Sequence, residues 1–263
     1  MALFIRSGSR TMIDYSIPII VFLFAGNSNM NGHCAKMDLV PMSGVYCLTK
    51  EAAFKDSATD ADYCGDNNQS GSMILPFLKT MRMRYPEYAF CGLKMASSCA
   101  QAFHRVPGDS RYEHFVKTIR LIKERALFGG MFLDYSFIEG QSTDESKKLS
   151  SNLIALKNNL RRETGYKSLP CFIVRYALNG DTVGAARQLG YRNNDSIIME
   201  QLARAANSDK YCSLVPIRYL PGLDYCDNHH PMEYGYQIQA EDAAAIYQLR
   251  QFDRSISTGT RRR

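Results

Sequence analysis

Nine residues from Ile17 to Ala25, IPIIVFLFA, are apolar without a break, and the run ends at Gly26 in a stretch of small and amide residues, GNSNMNG. A short apolar run bounded by a turn signal predicts a strand buried on both faces. Four similar runs follow: YAFCGLKMA ending at Ala96, MFLDYSFIEG from Met131, LPCFIVRYAL from Leu169 and YCSLVPI from Tyr211. Helical patterns lie between them. SMILPFLKTMRMRYP predicts a helix stopped near Pro86. RYEHFVKTIRLIKERALFGG puts Tyr112, Phe115, Ile119, Ile122 and Ala126 on one face and ends in a glycine pair suited to a C-cap. DESKKLSSNLIALKNNLRRETG predicts a helix capped by Ser142, Thr143 or Asp144 at its start and by Gly165 at its end. DSIIMEQLARAANSD and MEYGYQIQAEDAAAIYQLRQF are the last two helices. The segment from about 31 to 71, rich in Gly, Asp, Asn and Ser, reads as a long loop, and loops of that length often carry function.

Strand and helix alternate about five times, which predicts an α/β fold: a three-layer α/β/α sandwich around a five-stranded parallel sheet. No repeat or linker divides the chain, so residues 1–263 are expected to form one domain with its core over about 17–252. In such sheets ligands bind beyond the carboxyl ends of the strands. The segments to inspect are therefore 26–32, 97–101, 139–144, 179–184 and the stretch before the last helix.

Composition narrows the classes. Of 263 residues, 45% are hydrophobic and 22% charged, which argues against disorder and fibres. The net charge of +6 includes Arg261, Arg262 and Arg263, and elsewhere bases alternate with acids, as in KTIRLIKER. No basic stripe tracks a phosphate backbone, so nucleic acid is not an expected partner. Eight cysteines show no CxxC spacing, which removes zinc-ribbon and thioredoxin-like readings. Cys91 and Cys171 fall inside apolar runs, as buried reduced thiols do, though an even number leaves a disulfide open. The first apolar run is too short to span a bilayer, and no signal-peptide cleavage pattern follows it. The expectation is a cytoplasmic protein without membrane attachment, with secretion left open and the oligomeric state undetermined.

Two segments carry candidate chemistry. Ser28 follows the first strand by two residues, with Gly26 permitting a tight turn and free helix N–H groups favouring negative charge beside it. Read by itself, the segment favours a capping serine over a nucleophile. The second segment, LDYCDNHHPMEYGY, precedes the last helix and sets Asp227 and His230 at Asp-x-x-His spacing. A serine hydroxyl needs a base to take its proton, and the base needs a carboxylate to hold its tautomer. Asp224, Asp227, His229 and His230 are also a conceivable zinc set. His33 and Cys34 are adjacent and poorly placed to act as a pair, although His33 could line a pocket. His104 and His114 read as surface or packing residues, and Asp38, Asp56, Asp60, Asp62 and Asp66 as a solvated loop or a polar wall for a sugar.

Taken together, AGNSNM and DNHHPMEYGY resemble the first and last blocks of the SGNH hydrolase superfamily, and more narrowly of carbohydrate esterases of the sialate O-acetylesterase and acetylxylan esterase type. The resemblance covers roughly residues 17–250 and implies a flavodoxin-like fold. It implies Ser28 as nucleophile, His230 as general base and then acid, and Asp227 as orienting carboxylate. The oxyanion and substrate would be met by the Ser28 N–H and by Asn27, Ser98, Cys99, Glu139, Gly140, Gln141 and Ser142, with no metal or organic cofactor. Two blocks depart from the pattern. Where the family has a glycine or glycine pair after the second strand, this chain has ASSCA, and the family's Gln-Gly-Glu-Ser becomes Glu139-Gly140-Gln141-Ser142. A charged Glu139 facing the oxyanion would oppose it. The implied function is hydrolysis of O-acyl esters, O-acetyl first, on a carbohydrate through an acyl-enzyme. An esterase for another small acyl ester, and a carbohydrate-binding relative with an impaired oxyanion hole, are the alternatives.

Overall fold

The computed structural model describes residues 17–32, 42–48, 52, 54–56, 71–97, 100–135, 142–175, 194–215, 230 and 233–250. Its strands are β1 (Ile19–Gly26), β2 (Val45–Leu48), β3 (Phe54–Asp56), β4 (Ala89–Ala96), β5 (Leu127–Asp134), β6 (Cys171–Val174) and β7 (Cys212–Val215). They form one sheet in the order β3-β2-β4-β1-β5-β6-β7, parallel throughout except for the antiparallel edge strand β3. The five predicted strands are all present in flavodoxin order. The two extra strands, β2 and β3, come from the segment read as a loop: VYCL and FKD are too short, among Gly, Asp and Ser, to give a period of their own.

The described helices are α1 (Ser28–Asn31), α2 (Ile74–Arg84), α3 (Ser110–Ile122), α4 (Thr143–Thr164), α5 (Asp195–Ala206) and α6 (Glu233–Arg250). Alternation along β1 defines the layers. Ile19, Val21, Leu23 and Ala25 pack into a core with α3, α4 and α5, whereas Ile20, Phe22 and Phe24 face α2 and α6. A strand covered on both faces must be apolar at every position, which is why IIVFLFA shows no polar alternation. The second core is aromatic: the Phe22 ring meets Phe77 and Tyr247 edge-on at centroid distances of 4.9 and 5.1 Å.

The glycine pair Gly129–Gly130 is not a helix cap. Helix α3 ends at Ile122, and both glycines lie inside β5, which begins at Leu127 rather than Met131. Their reason is steric. A Cβ on Gly129 would come within 2.6 Å of the Phe22 ring, and the β1–β5 register shifts at this place.

Helix α4 begins at the cap Ser142, whose hydroxyl accepts from the Glu145 N–H, and ends at Gly165 in the left-handed region at φ 79°, both as expected. Its buried face carries two cations. Lys157 and Arg161 both donate to Asp209 Oδ2, at 2.5 and 2.7 Å, fastening the helix to the turn before β7. Burial would raise the Asp209 carboxyl, but the hydrogen bonds from Arg161 and Lys157 outweigh it and hold the group well below the usual carboxylate range. Cys47, Cys91, Cys171 and Cys212 are buried free thiols, as expected for Cys91 and Cys171. No helix among the described residues is long and apolar enough to cross a membrane.

Candidate active site

The chain leaves β1 at the point where the strand order reverses, with β4 on one side of β1 and β5 on the other. Gly26 pairs with Ala96 and Asp134 at the carboxyl ends of these neighbours. The next N–H, that of Asn27, donates to the Asp134 carbonyl at 2.9 Å and turns the chain over the sheet end. Ser28 is the first residue of α1, 6% exposed. The cap of this helix is Asn27, whose Oδ1 accepts from the Asn29 N–H at 3.2 Å, so the capping reading falls on the neighbour and not on Ser28. One helical turn is closed by Asn31 N–H to Asn27 O and Gly32 N–H to Ser28 O, both 2.9 Å. The Ser28 N–H, at the head of that turn, has no acceptor within the helix. Asn27 Nδ2 is buried with no acceptor among the described residues.

Two residues that the sequence pattern hid support this turn. Lys94, wholly buried on β4, donates from Nζ to the Asn31 carbonyl at 3.0 Å, placing a cation at the carbonyl end of α1. Asp134 ends β5 at 1% exposure, its Oδ1 has no partner among the described residues, and burial raises its carboxyl from 3.8 to about 7. Each is a single charge inside an apolar run, and that was the available signal: a charge at the carboxyl end of a doubly buried strand.

The two sequence segments also meet. His230, just before α6, is buried at 5% exposure, and Tyr236 on the first turns of α6 donates its hydroxyl to Asn29 Oδ1 at 3.2 Å, across 207 residues of chain. The second-block turn after β4 is tied to the same place, with the Ser97 N–H donating to the Gly26 carbonyl at 3.3 Å. It reaches the third block as well: Gln101 Nε2 donates to Glu145 Oε2 at 2.7 Å, in the first turn of α4 beyond Ser142. Ser142 itself serves as the α4 cap.

Asp227, Ser98, Cys99, Glu139, Gly140 and Gln141 lie outside the described residues, as do Asp224, His229, His33, Cys34, Asp38, Asp60, Asp62 and Asp66. Asp56 ends the edge strand β3, His104 is exposed at the end of a 3-10 turn (Ala102–His104), and His114 is half-buried on α3. Among the described residues no three His, Cys, Asp or Glu side chains gather as a metal site would require.

A parallel sheet in flavodoxin order, covered by helices on both faces, places the chain in the class of three-layer α/β/α proteins. A family model described as carbohydrate esterase, sialic acid-specific acetylesterase, matches residues 18–210, and the chain belongs to that family. It is accordingly a hydrolase of carboxylic ester bonds. The fold is similar to a protein of Arabidopsis thaliana (TM-score 0.72, 16% identity, 89% of this chain and 100% of that one). It is similar to NanS (TM-score 0.70, 10% identity, 88% and 97%) and to a carbohydrate acetylesterase from Xanthomonas citri (TM-score 0.60, 13% identity, 89% and 57%). No curated protein matches the sequence.

Proposed function

We propose that the chain is a serine esterase that removes O-acyl groups, O-acetyl first, from a carbohydrate. Ser28 attacks the acyl carbon while His230 takes its proton, and His230 then returns that proton to the departing sugar hydroxyl. Asp227 orients the imidazole and balances its charge. Water, deprotonated by His230, cleaves the acyl-enzyme and frees Ser28. The backbone N–H groups of Ser28 and of residues 98–99 and 139–142 would meet the oxyanion, with Asn27 Nδ2 as a further donor.

The observation that carries this reading is the division of labour at the β1 turn: Asn27 does the capping, which leaves the Ser28 hydroxyl at the helix head for other work. The Tyr236 to Asn29 hydrogen bond supports it by joining the His230 segment to that turn. The family description makes an O-acetylated sialic acid the first sugar to try. The test is acetate release from that sugar and from p-nitrophenyl acetate, by wild type and by Ser28→Ala. Loss of at least about a thousandfold in kcat with unchanged folding is expected. Activity retained in Ser28→Ala refutes the nucleophile, and an inert wild type that still binds the acetylated sugar assigns the chain to binding instead.

A further inference from the structure

Two of the described cysteines stand side by side. Cys171 opens β6 and Cys212 opens β7, and the two are register partners in this parallel pair. Both side chains fall on the same face of the sheet, in the core shared with α4 and α5. Neighbouring strands run about 4.8 Å apart, inside the Cα range of about 4.4–6.8 Å that a disulfide spans. The other two described thiols lack this relation. Cys91 pairs with Tyr46 and Cys47 with Gly92, and Cys47 and Cys91 belong to opposite cores.

The surroundings make the two thiols unequal. Cys171 is wholly buried, whereas Cys212 has its Sγ 3.6 Å from the hydroxyl of Ser208, a residue at the surface. Lys157 Nζ donates to the same Ser208 oxygen at 2.7 Å. A hydroxyl that accepts from an ammonium still has its own proton to give, and the Cys212 sulfur is within its reach. Arg161, the second cation on this side of α4, donates to Asp209 and to the Leu169 carbonyl. The Cys171 thiol does most to bring the Cys212 thiol down to about 6, with Ser208 and Lys157 adding to it against burial and the Asp209 charge. Cys171, pushed up chiefly by burial and then by Cys212, keeps its proton. The thiolate is the form that attacks an oxidant. A deprotonated sulfur just beneath the surface with a protonated one behind it therefore provides an attacking and a resolving thiol.

We propose that Cys171 and Cys212 are a reversible disulfide site, oxidised by a hydroperoxide, with Cys212 as the attacking thiol and Cys171 as the resolving one. Cys212 sulfur attacks one peroxide oxygen, the O–O bond breaks, and the departing hydroxide takes a proton to leave as water, so that Cys212 becomes a sulfenic acid. Cys171 sulfur then attacks Cys212 Sγ and the S–O bond breaks. The Cys171 proton leaves with the hydroxyl as a second water. Two thiols thus lose two electrons and two protons, and one peroxide is reduced to water. Both cysteines are the first residues of their strands, away from the carboxyl ends over which Ser28 sits, and the site is independent of the esterase reading.

The test treats the reduced, folded protein with hydrogen peroxide, blocks the remaining thiols with iodoacetamide in denaturant, and maps the peptides by mass spectrometry. Wild type should give a peptide pair joined through Cys171 and Cys212, and dithiothreitol should return both thiols, while Cys47 and Cys91 are recovered alkylated throughout. Cys171→Ser should stop at a Cys212 sulfenic acid that dimedone captures. Cys212→Ser should leave Cys171 unoxidised at the same peroxide dose. Ser208→Ala should slow formation of the bond by about threefold to tenfold, as the loss of one hydrogen bond to the reacting sulfur would. The wild-type result decides the matter even where a variant fails to fold. No Cys171–Cys212 peptide in wild type overturns the proposal, as does one that appears only together with oxidation of Cys47 and Cys91, which would mean oxidation of the unfolded chain. Dimedone capture at Cys171 in Cys212→Ser, as fast as at Cys212 in Cys171→Ser, overturns the assigned roles.

Discussion

An alanine at position 26 would put its Cβ 2.6 Å from Met30 Cβ and 2.7 Å from the Asp134 carbonyl oxygen. That oxygen belongs to the backbone that receives the Asn27 N–H, so it cannot step aside without breaking the turn. Gly26→Ala should therefore cost roughly 2–3 kcal/mol of stability by overpacking and, by moving Ser28, cut kcat at least about a hundredfold. Thermal unfolding and ester hydrolysis check both. Asp134 gives a different signature. Its carboxyl titrates at about 7 in the folded chain against 3.8 in the open one, because burial penalises the charge. The folded state therefore keeps a proton that the unfolded state has already lost, and the contribution present below about pH 4 drains away as pH rises to about 7, by up to about 4 kcal/mol. In Asp134→Asn, denaturant unfolding should lose this fall between pH 4 and 7. A wild type whose stability is flat over that range would contradict it.

At the scale of elements, helix α4 joins both ends of the sheet. Its first turn holds the second-block loop through Glu145, and its last turns hold the approach to β7 through Lys157 and Arg161 on Asp209. Glu145 stands where a capping-box glutamate would turn back to the Ser142 N–H, yet its Oε2 is spent on Gln101. Asp209→Asn would leave two largely buried cations without their shared countercharge, a loss of about 2–4 kcal/mol at neutral pH after allowance for the partly exposed carboxylate. The sign of its pH dependence is opposite to that of Asp134. A depressed carboxyl stabilises above the unfolded value near 4 and loses its effect as pH falls below it. The wild type should weaken in acid more steeply than Asp209→Asn, as chemical denaturation from pH 5 to 2 would record.

Over the whole molecule, the parts legible in the sequence were those with one dominant local cause. Doubly buried strands had to be apolar throughout, α3 had to show its apolar face and α4 its caps, so five strands followed from IIVFLFA, AFCGLKMA and their counterparts, whereas their flavodoxin order came with the family resemblance. Gly129 and the strands β2 and β3 were hidden because their cause is distant: a Phe22 ring from another strand, and pairing to an edge that only the assembled sheet offers. The same holds for the site. Ser28 and His230 announce themselves by residue type, whereas Lys94 and Tyr236 acquire their partners only far along the chain.

Tyr236 tests that long-range assembly most directly, because its hydroxyl links α6 to the Ser28 turn after β1. Tyr236→Phe keeps the ring in the aromatic core, where the residue is wholly buried, and removes the donor to Asn29 Oδ1. Leaving a buried acceptor unsatisfied should cost about 1–3 kcal/mol. If the hydroxyl only fastened a helix, stability would fall while kcat stayed put. Because Asn29 is bonded to the cap Asn27 on one side and adjoins Ser28 on the other, the released amide should also disturb Ser28, and under the proposed mechanism kcat should drop about tenfold with little change in KM. Calorimetry beside steady-state kinetics separates the two, and a variant that loses stability at full turnover would confine Tyr236 to the fold.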